Sequence, residues 1–117
     1  MAESIMLDKA KDFAVKILNL CKNIKETKRE NLLTNQLMRS GTSIGANIHE
    51  SKYAQSKADF VSKMQIALKE CYESEYWLEL LNRTDYINDE EYKFITNECG
   101  QIRRMLISSI NTVKENK

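Results

Sequence analysis

At 117 residues, with 42% hydrophobic and 30% charged side chains, the chain can build one hydrophobic core and is too short for two independent ones. It contains no proline and three glycines, which excludes a disordered or turn-rich polymer and suits long helices. The formal net charge of +1 argues against a strongly basic, nonspecific nucleic-acid binder, and no run approaches the roughly 18 consecutive apolar residues of a membrane span.

The opening residues MAESIMLDKAKDF lack the basic start and apolar centre of a signal peptide, so the expected location is the cytoplasm. From about Ser4 to Ile24, apolar residues such as Ala10, Phe13, Ile17, Cys21 and Ile24 recur at steps of three and four, the stripe of a first amphipathic helix. The polar run KETKREN, residues 25–31, breaks that pattern. A second helix is predicted from near Asn31 to near Tyr53, with Leu32, Leu33, Leu37, Ile44 and Ile48 as its apolar positions.

Residues 36–51 of that helix read QLMRSGTSIGANIHES, a thin, hydroxyl-rich stretch in an otherwise bulky chain. Gln36, Ser40, Ser43, Asn47 and Glu50 follow one another at steps of four, three, four and three, so they form one polar seam. Leu33, Leu37, Gly41, Ile44 and Ile48 form an apolar seam beside it. A loop would keep neither period, so the stretch is read as a helix kept thin, with Gly41 and Gly45 admitting a close neighbour. Each glycine costs roughly 1 kcal/mol against alanine inside a helix, and close packing must return that. A core-facing polar seam also needs partners. Arg39 and Glu50 are expected to find them in Glu70, Glu73 or Glu75, or in another subunit; the seam is either a satisfied network, an interface or a polar pocket.

Ser56 followed by Asp59 resembles a capping box that opens a third helix, whose stripe runs through Phe60, Met64, Ala67, Cys71, Leu78 and Leu81 with Trp77 beside it. NRTDYIND, residues 82–89, supplies the next break, and Asn88 with Glu91 repeats the capping signal. Tyr92, Ile95, Cys99, Ile102, Leu106 and Ile110 then mark a fourth helix. No strand is predicted. Four long helices with short connections describe an all-α, antiparallel up-down-up-down four-helix bundle spanning residues 1–117 as one domain.

Charge is unevenly spread: residues 70–91 hold one Lys/Arg against eight Asp/Glu, whereas residues 1–69 hold twelve against seven. The basic connection between the first two helices and the acidic connection between the last two should share one end of the bundle. Such a separation fits pairing within the chain or between subunits. Cys21, Cys71 and Cys99 form no CxxC or CxxH pair and are expected as reduced core residues, with neither disulfide nor zinc site. His49 is the sole histidine, so a Glu-x-x-His di-iron set cannot be assembled and no catalytic residue, metal site or cofactor is expected. Candidate phosphate contacts are Lys22, Lys25, Lys28 and Arg29 at one bundle end and Arg103 and Arg104 on the fourth helix, though a solvated helical face explains the same residues. Tyr72, Tyr76 and Trp77 offer a docking surface or a packing surface between subunits.

The run NQLMRSGTSIGANIHESKYAQSKADFVSKMQIALKECYESEYWLELL resembles the bacterial four helix bundle protein family, also called the 23S rRNA intervening-sequence protein family. The matching pattern is Gln36, Arg39 and Ser40, Ser43 and Ile44, Asn47 and Ile48, Glu50, Ser56, Asp59 and Phe60, Ile66 and Ala67, Glu73, and Trp77 with Leu78. His49 and Ser51 stand where the family often has Ala and Gly. The resemblance implies a left-handed bundle assembled as a ring-shaped homopentamer, encoded within ribosomal RNA intervening sequences in some bacteria. It implies a noncatalytic interaction protein whose partners are itself and RNA or a nucleic-acid-associated protein, with no membrane. The alternative is an accessory scaffold for a reverse transcriptase, as in diversity-generating retroelements, where a related protein uses a strongly basic surface that this near-neutral chain lacks.

Overall fold

The computed structural model describes residues 2–115, with side chains from Ile5 onward. Its elements are α1 (Ala2–Lys28), α2 (Leu32–Ser51), α3 (Lys57–Arg83) and α4 (Asp89–Glu115). A helix of 27 residues is about 40 Å long. The molecule measures 50 × 22 × 20 Å, so the helices lie lengthwise side by side. Contacts join α1 to α2, α2 to α3, α3 to α4 and α4 back to α1, with no diagonal pair: an up-down-up-down square. The α1–α4 edge is the sparsest of the four.

The predicted stripes meet along the axis of this square. Phe13 and Ile17 of α1, Leu37 and Ile44 of α2, Met64 and Leu78 of α3, and Ile102 and Leu106 of α4 are essentially inaccessible to solvent. The three cysteines are free and buried in the same core. Burial pushes the Cys21 thiol up to about 12. Cys99 is raised too, first by its hydrogen-bonded neighbour Cys71 and then by burial, and its thiol donates to the Cys71 carbonyl at 3.5 Å. The Cys21 and Cys99 thiols are thereby held protonated, and all three cysteines pack as small apolar residues.

The helix ends depart from expectation at one place. α1 runs past Ile24 to Lys28, because the polar residues 25–28 are all helix-compatible and none needs a place in the core. The chain turns at Arg29, which has a left-handed φ of 55°, and at Asp85, where φ is 67°. At the second turn the Tyr86 amide donates to the Leu81 carbonyl at 2.9 Å, the six-to-one bond of a Schellman ending. Lys28 Nζ donates to the Asp85 and Tyr86 carbonyls at 3.4 and 3.1 Å, so the two connections do share one end and are joined. Both caps form: the Asp59 amide donates to Ser56 Oγ at 3.0 Å, with the Asp59 carboxylate accepting from the Gln55 amide, and the Glu91 amide donates to Asn88 Oδ1 at 2.8 Å, with the Asn88 amide returning a bond to Glu91.

The start of α2 works differently. Asn31 makes no side-chain cap; instead the buried Glu30 carboxylate accepts from the Leu33 and Thr34 amides at 2.7 and 2.9 Å. Burial pushes the Glu30 carboxyl up, but these amide bonds outweigh it, and the net shift is downward. Both α2 glycines face α1. A Cβ at Gly41 would stand 3.0 Å from Ile17 Cγ2, whereas one at Gly45 would meet Ala10 Cβ at an ordinary 3.5 Å. Gly41 is therefore where the thin helix matters most.

Candidate functional site

The seam of α2 does not face the bundle axis as a whole. It runs along the boundary with α3, and of its members only Ser40 is buried. Ser40 Oγ donates to the Leu37 carbonyl at 3.3 Å and accepts from Ser74 Oγ at 2.9 Å, a hydroxyl pair inside the core. Ser43 Oγ donates to the Arg39 carbonyl at 2.6 Å and Asn47 Nδ2 to the Ser43 carbonyl at 2.9 Å, so both turn back on their own helix. Gln36 is half-buried.

Arg39, 50% exposed, bridges to α3: its guanidinium donates to the Glu70 carboxylate at 3.4 Å and to Glu73. The Trp77 indole donates to Glu73 Oε2 at 3.1 Å. That bond leads the causes that hold the Glu73 carboxyl below its ordinary range; Arg39 adds to it and burial opposes it. Glu50 departs from expectation by pairing with Lys63 at 3.0 Å, the opposite charge one turn from Asp59, rather than with the helix-three carboxylates. Among the described residues no buried side-chain N or O atom lacks a hydrogen-bond partner. The buried part of the seam is thus satisfied within the chain, at a helix boundary. Ser74 and Lys63 were missed in the sequence because their roles depend on α2–α3 register, although both lie at helical spacing from residues that were noticed.

The six candidate cations divide into two groups. Lys28 is spent on the second connection, Lys25 Nζ donates to Asn31 Oδ1 at 3.3 Å and to Asn35, and Lys22 and Arg29 are exposed at the same end. Arg103 and Arg104 lie about 20 Å away along α4. Arg103 Nε donates to Glu75 Oε2 at 3.0 Å, which raises its pKa, and its guanidinium lies 5.7 Å from the Tyr72 ring centre. Arg104 is exposed.

These arginines border a groove of about 640 Å³ between α3 and α4, walled by Tyr72, Tyr76 and Tyr92. Tyr72 and Tyr76 are 51% and 55% exposed, and Tyr76 meets Trp77 edge-on at 5.0 Å. Burial raises the Tyr92 phenol, with the charges of Glu79 and Glu75 adding to the effect. His49 is exposed and stacks edge-on with Tyr53 at 5.6 Å. Among the described residues there is no group of three or more His, Cys, Asp or Glu placed to hold a metal, and no helix long and apolar enough to cross a membrane.

The 23S rRNA-intervening sequence protein model matches residues 2–108. A solved structure of a protein of unknown function from the S23 ribosomal protein family of Bacteroides thetaiotaomicron is 50% identical, with a TM-score of 0.93 over 95% of this chain and 99% of that one. No curated relative matches the chain. With one model spanning nearly all of the sequence and a solved neighbour of the same size and shape, the chain belongs to the 23S rRNA-intervening sequence protein family.

Proposed function

We propose that this chain is a noncatalytic interaction protein that works as a homo-oligomer, a ring of five copies, in a ribosomal-RNA context. The observation that carries the oligomer is the placement of exposed apolar side chains on a bundle whose core is already complete. Val15 on α1 is 56% exposed and Ile66 on α3 is 39% exposed. These helices are diagonal in the square and do not touch each other, so the two residues lie on different parts of the surface. Exposed apolar side chains on two different helices favour a contact between unlike surfaces, the kind that closes into rings when the rotation permits. The excess acid of residues 70–91 against the more basic α1 and α2 adds charge complementarity to such a contact.

The RNA context draws on the family description and on the S23 ribosomal protein family name of the structural neighbour. The noncatalytic reading draws on the seam, whose buried polar atoms have partners within the chain. A scaffold for a reverse transcriptase or another protein is the second reading, favoured by the half-exposed Tyr72 and Tyr76. Light scattering tests the assembly: a particle about five times the 13.6 kDa of one chain is expected, and a monomer at micromolar concentration overturns it. RNA that copurifies from the native host and is released by salt would support the RNA context. A reverse transcriptase gene beside this one would favour the scaffold.

A further inference from the structure

We propose that the outer face of α4, from Lys93 to Ser108, is a track for single-stranded nucleic acid, a proposal that rests on the RNA context above. Lys93, Asn97, Gly100, Arg104 and Ser108 follow one another at steps of four, three, four and four, so they form one stripe about 22 Å long. The 640 Å³ groove toward α3 and a second hollow of about 470 Å³ toward α1 meet on this stripe, because Arg104 lines both. Gly100 keeps the middle of the stripe low. A Cβ there would stand 3.2 Å from Arg104 Nη1 and 3.3 Å from Arg103 Nη2, so the glycine lets both guanidinium groups lie back over the helix.

Charge accounting favours an anion despite the carboxylates nearby. Glu75 is matched by Arg103 at 3.0 Å and Glu79 by Arg83 at 3.2 Å. Among the described residues the side chains of Lys93 and Arg104 make no ion pair or hydrogen bond, so the uncommitted charges in the groove are both positive. Tyr76 and Tyr72 line the same groove, each about half exposed. Exposed aromatic rings next to unpaired cations are how proteins hold unpaired bases and their phosphates. The rings can stack only on bases that are not already paired, so a single strand fits and a duplex does not. Asp89, Glu90 and Glu91 begin α4 and repel phosphate at that end, so the strand extends from the tyrosines toward Ser108.

The test is fluorescence anisotropy of a labelled oligoadenylate RNA of about ten nucleotides, alone and annealed to its complement, with the particle mass measured on the same samples. The single strand is expected to bind with a log–log salt slope of about −1.4, as two phosphate contacts require. Tyr76→Ala should weaken it about tenfold and Tyr76→Phe should restore it, since stacking needs the ring and not the hydroxyl. Lys93→Ala combined with Arg104→Ala should flatten the salt slope. All three variants should melt like the parent. Absence of single-strand binding, preference for the duplex, or binding that survives Tyr76→Ala but is lost in Lys22→Ala with Arg29→Ala overturns the track. A ring that ignores the oligonucleotide overturns the track alone, whereas a monomer that binds it through Tyr76 overturns the ring and supports the track.

Discussion

The seams on either side of α2 and the seam between α1 and α4 are built from different materials. Against α1, α2 presents Gly41 to Ile17; against α3, it shares the buried Ser40–Ser74 hydroxyl pair and the Arg39, Glu70 and Glu73 cluster. The α1–α4 seam is held by the ends of long side chains, the Lys16–Glu98 ion pair and a Lys9–Gln101 hydrogen bond at 3.3 Å, with a hollow between the helices. Helices joined by a connection of a few residues have a fixed register, which lets small residues and hydroxyls do the packing. The two helices that no connection joins meet through flexible groups that tolerate a shift.

The largest effect should come from filling the tightest contact. Gly41→Leu should cost about 3 kcal/mol by driving into Ile17, with the melting temperature falling by roughly 10 °C or more. Gly45→Ala should be neutral or stabilising by up to about 1 kcal/mol. If both variants melt alike, α2 is not held closer to α1 at Gly41 than at Gly45.

Removing the side chain that starts α2 comes next. Glu30→Ala should cost about 1.5 kcal/mol at neutral pH. The folded Glu30 and Glu73 carboxyls are both shifted downward. Their contribution is therefore complete above the unfolded value of about 4.3 and lost as pH falls through the folded one. Denaturant midpoints measured from pH 6 to pH 3 should fall less steeply in Glu30→Ala than in the parent; parallel curves would contradict the linkage.

Ser40→Ala should cost about 1 kcal/mol by leaving the buried Ser74 hydroxyl without its acceptor, and adding Ser74→Ala should recover most of it. Additive losses in that double-mutant cycle would mean that the hydroxyls do not depend on each other. The smallest effects belong to the ion pairs. Arg39→Ala and Lys16→Ala should each cost under about 0.5 to 1 kcal/mol, with Arg39 the larger because it holds two carboxylates. The reverse order in urea midpoints would invert the comparison of the seams.

Much of this fold was legible because helix period and capping chemistry are local. Ser56 and Asn88 announce their helices, and Leu37, Ile44 and Ile48 fall on one stripe whatever they pack against. The end of α1 was less legible, since Lys25 to Lys28 interrupt the apolar pattern without interrupting the helix. Glu30 was missed as a cap because the usual signal is a short side chain at the boundary itself, and here a longer one reaches back from outside. The seam's spacing could be read, but not whether it faced the core. That depends on how far α2 is rotated between α1 and α3. In the same way Tyr72, Tyr76, Arg103 and Arg104 were each noticed, while their meeting in one groove depends on the register of α3 against α4.

The reach of Lys28 to the carbonyls of Asp85 and Tyr86 has a kinetic meaning. Each helical hairpin, α1 with α2 and α3 with α4, can form from contacts local in sequence, and such contacts assemble early. The lysine belongs to one hairpin and its acceptors to the other, 57 and 58 residues away. Its contact cannot exist until the two halves meet in register. A spectroscopic label beside Tyr86 would therefore time the docking of the hairpins, separately from the folding of either one.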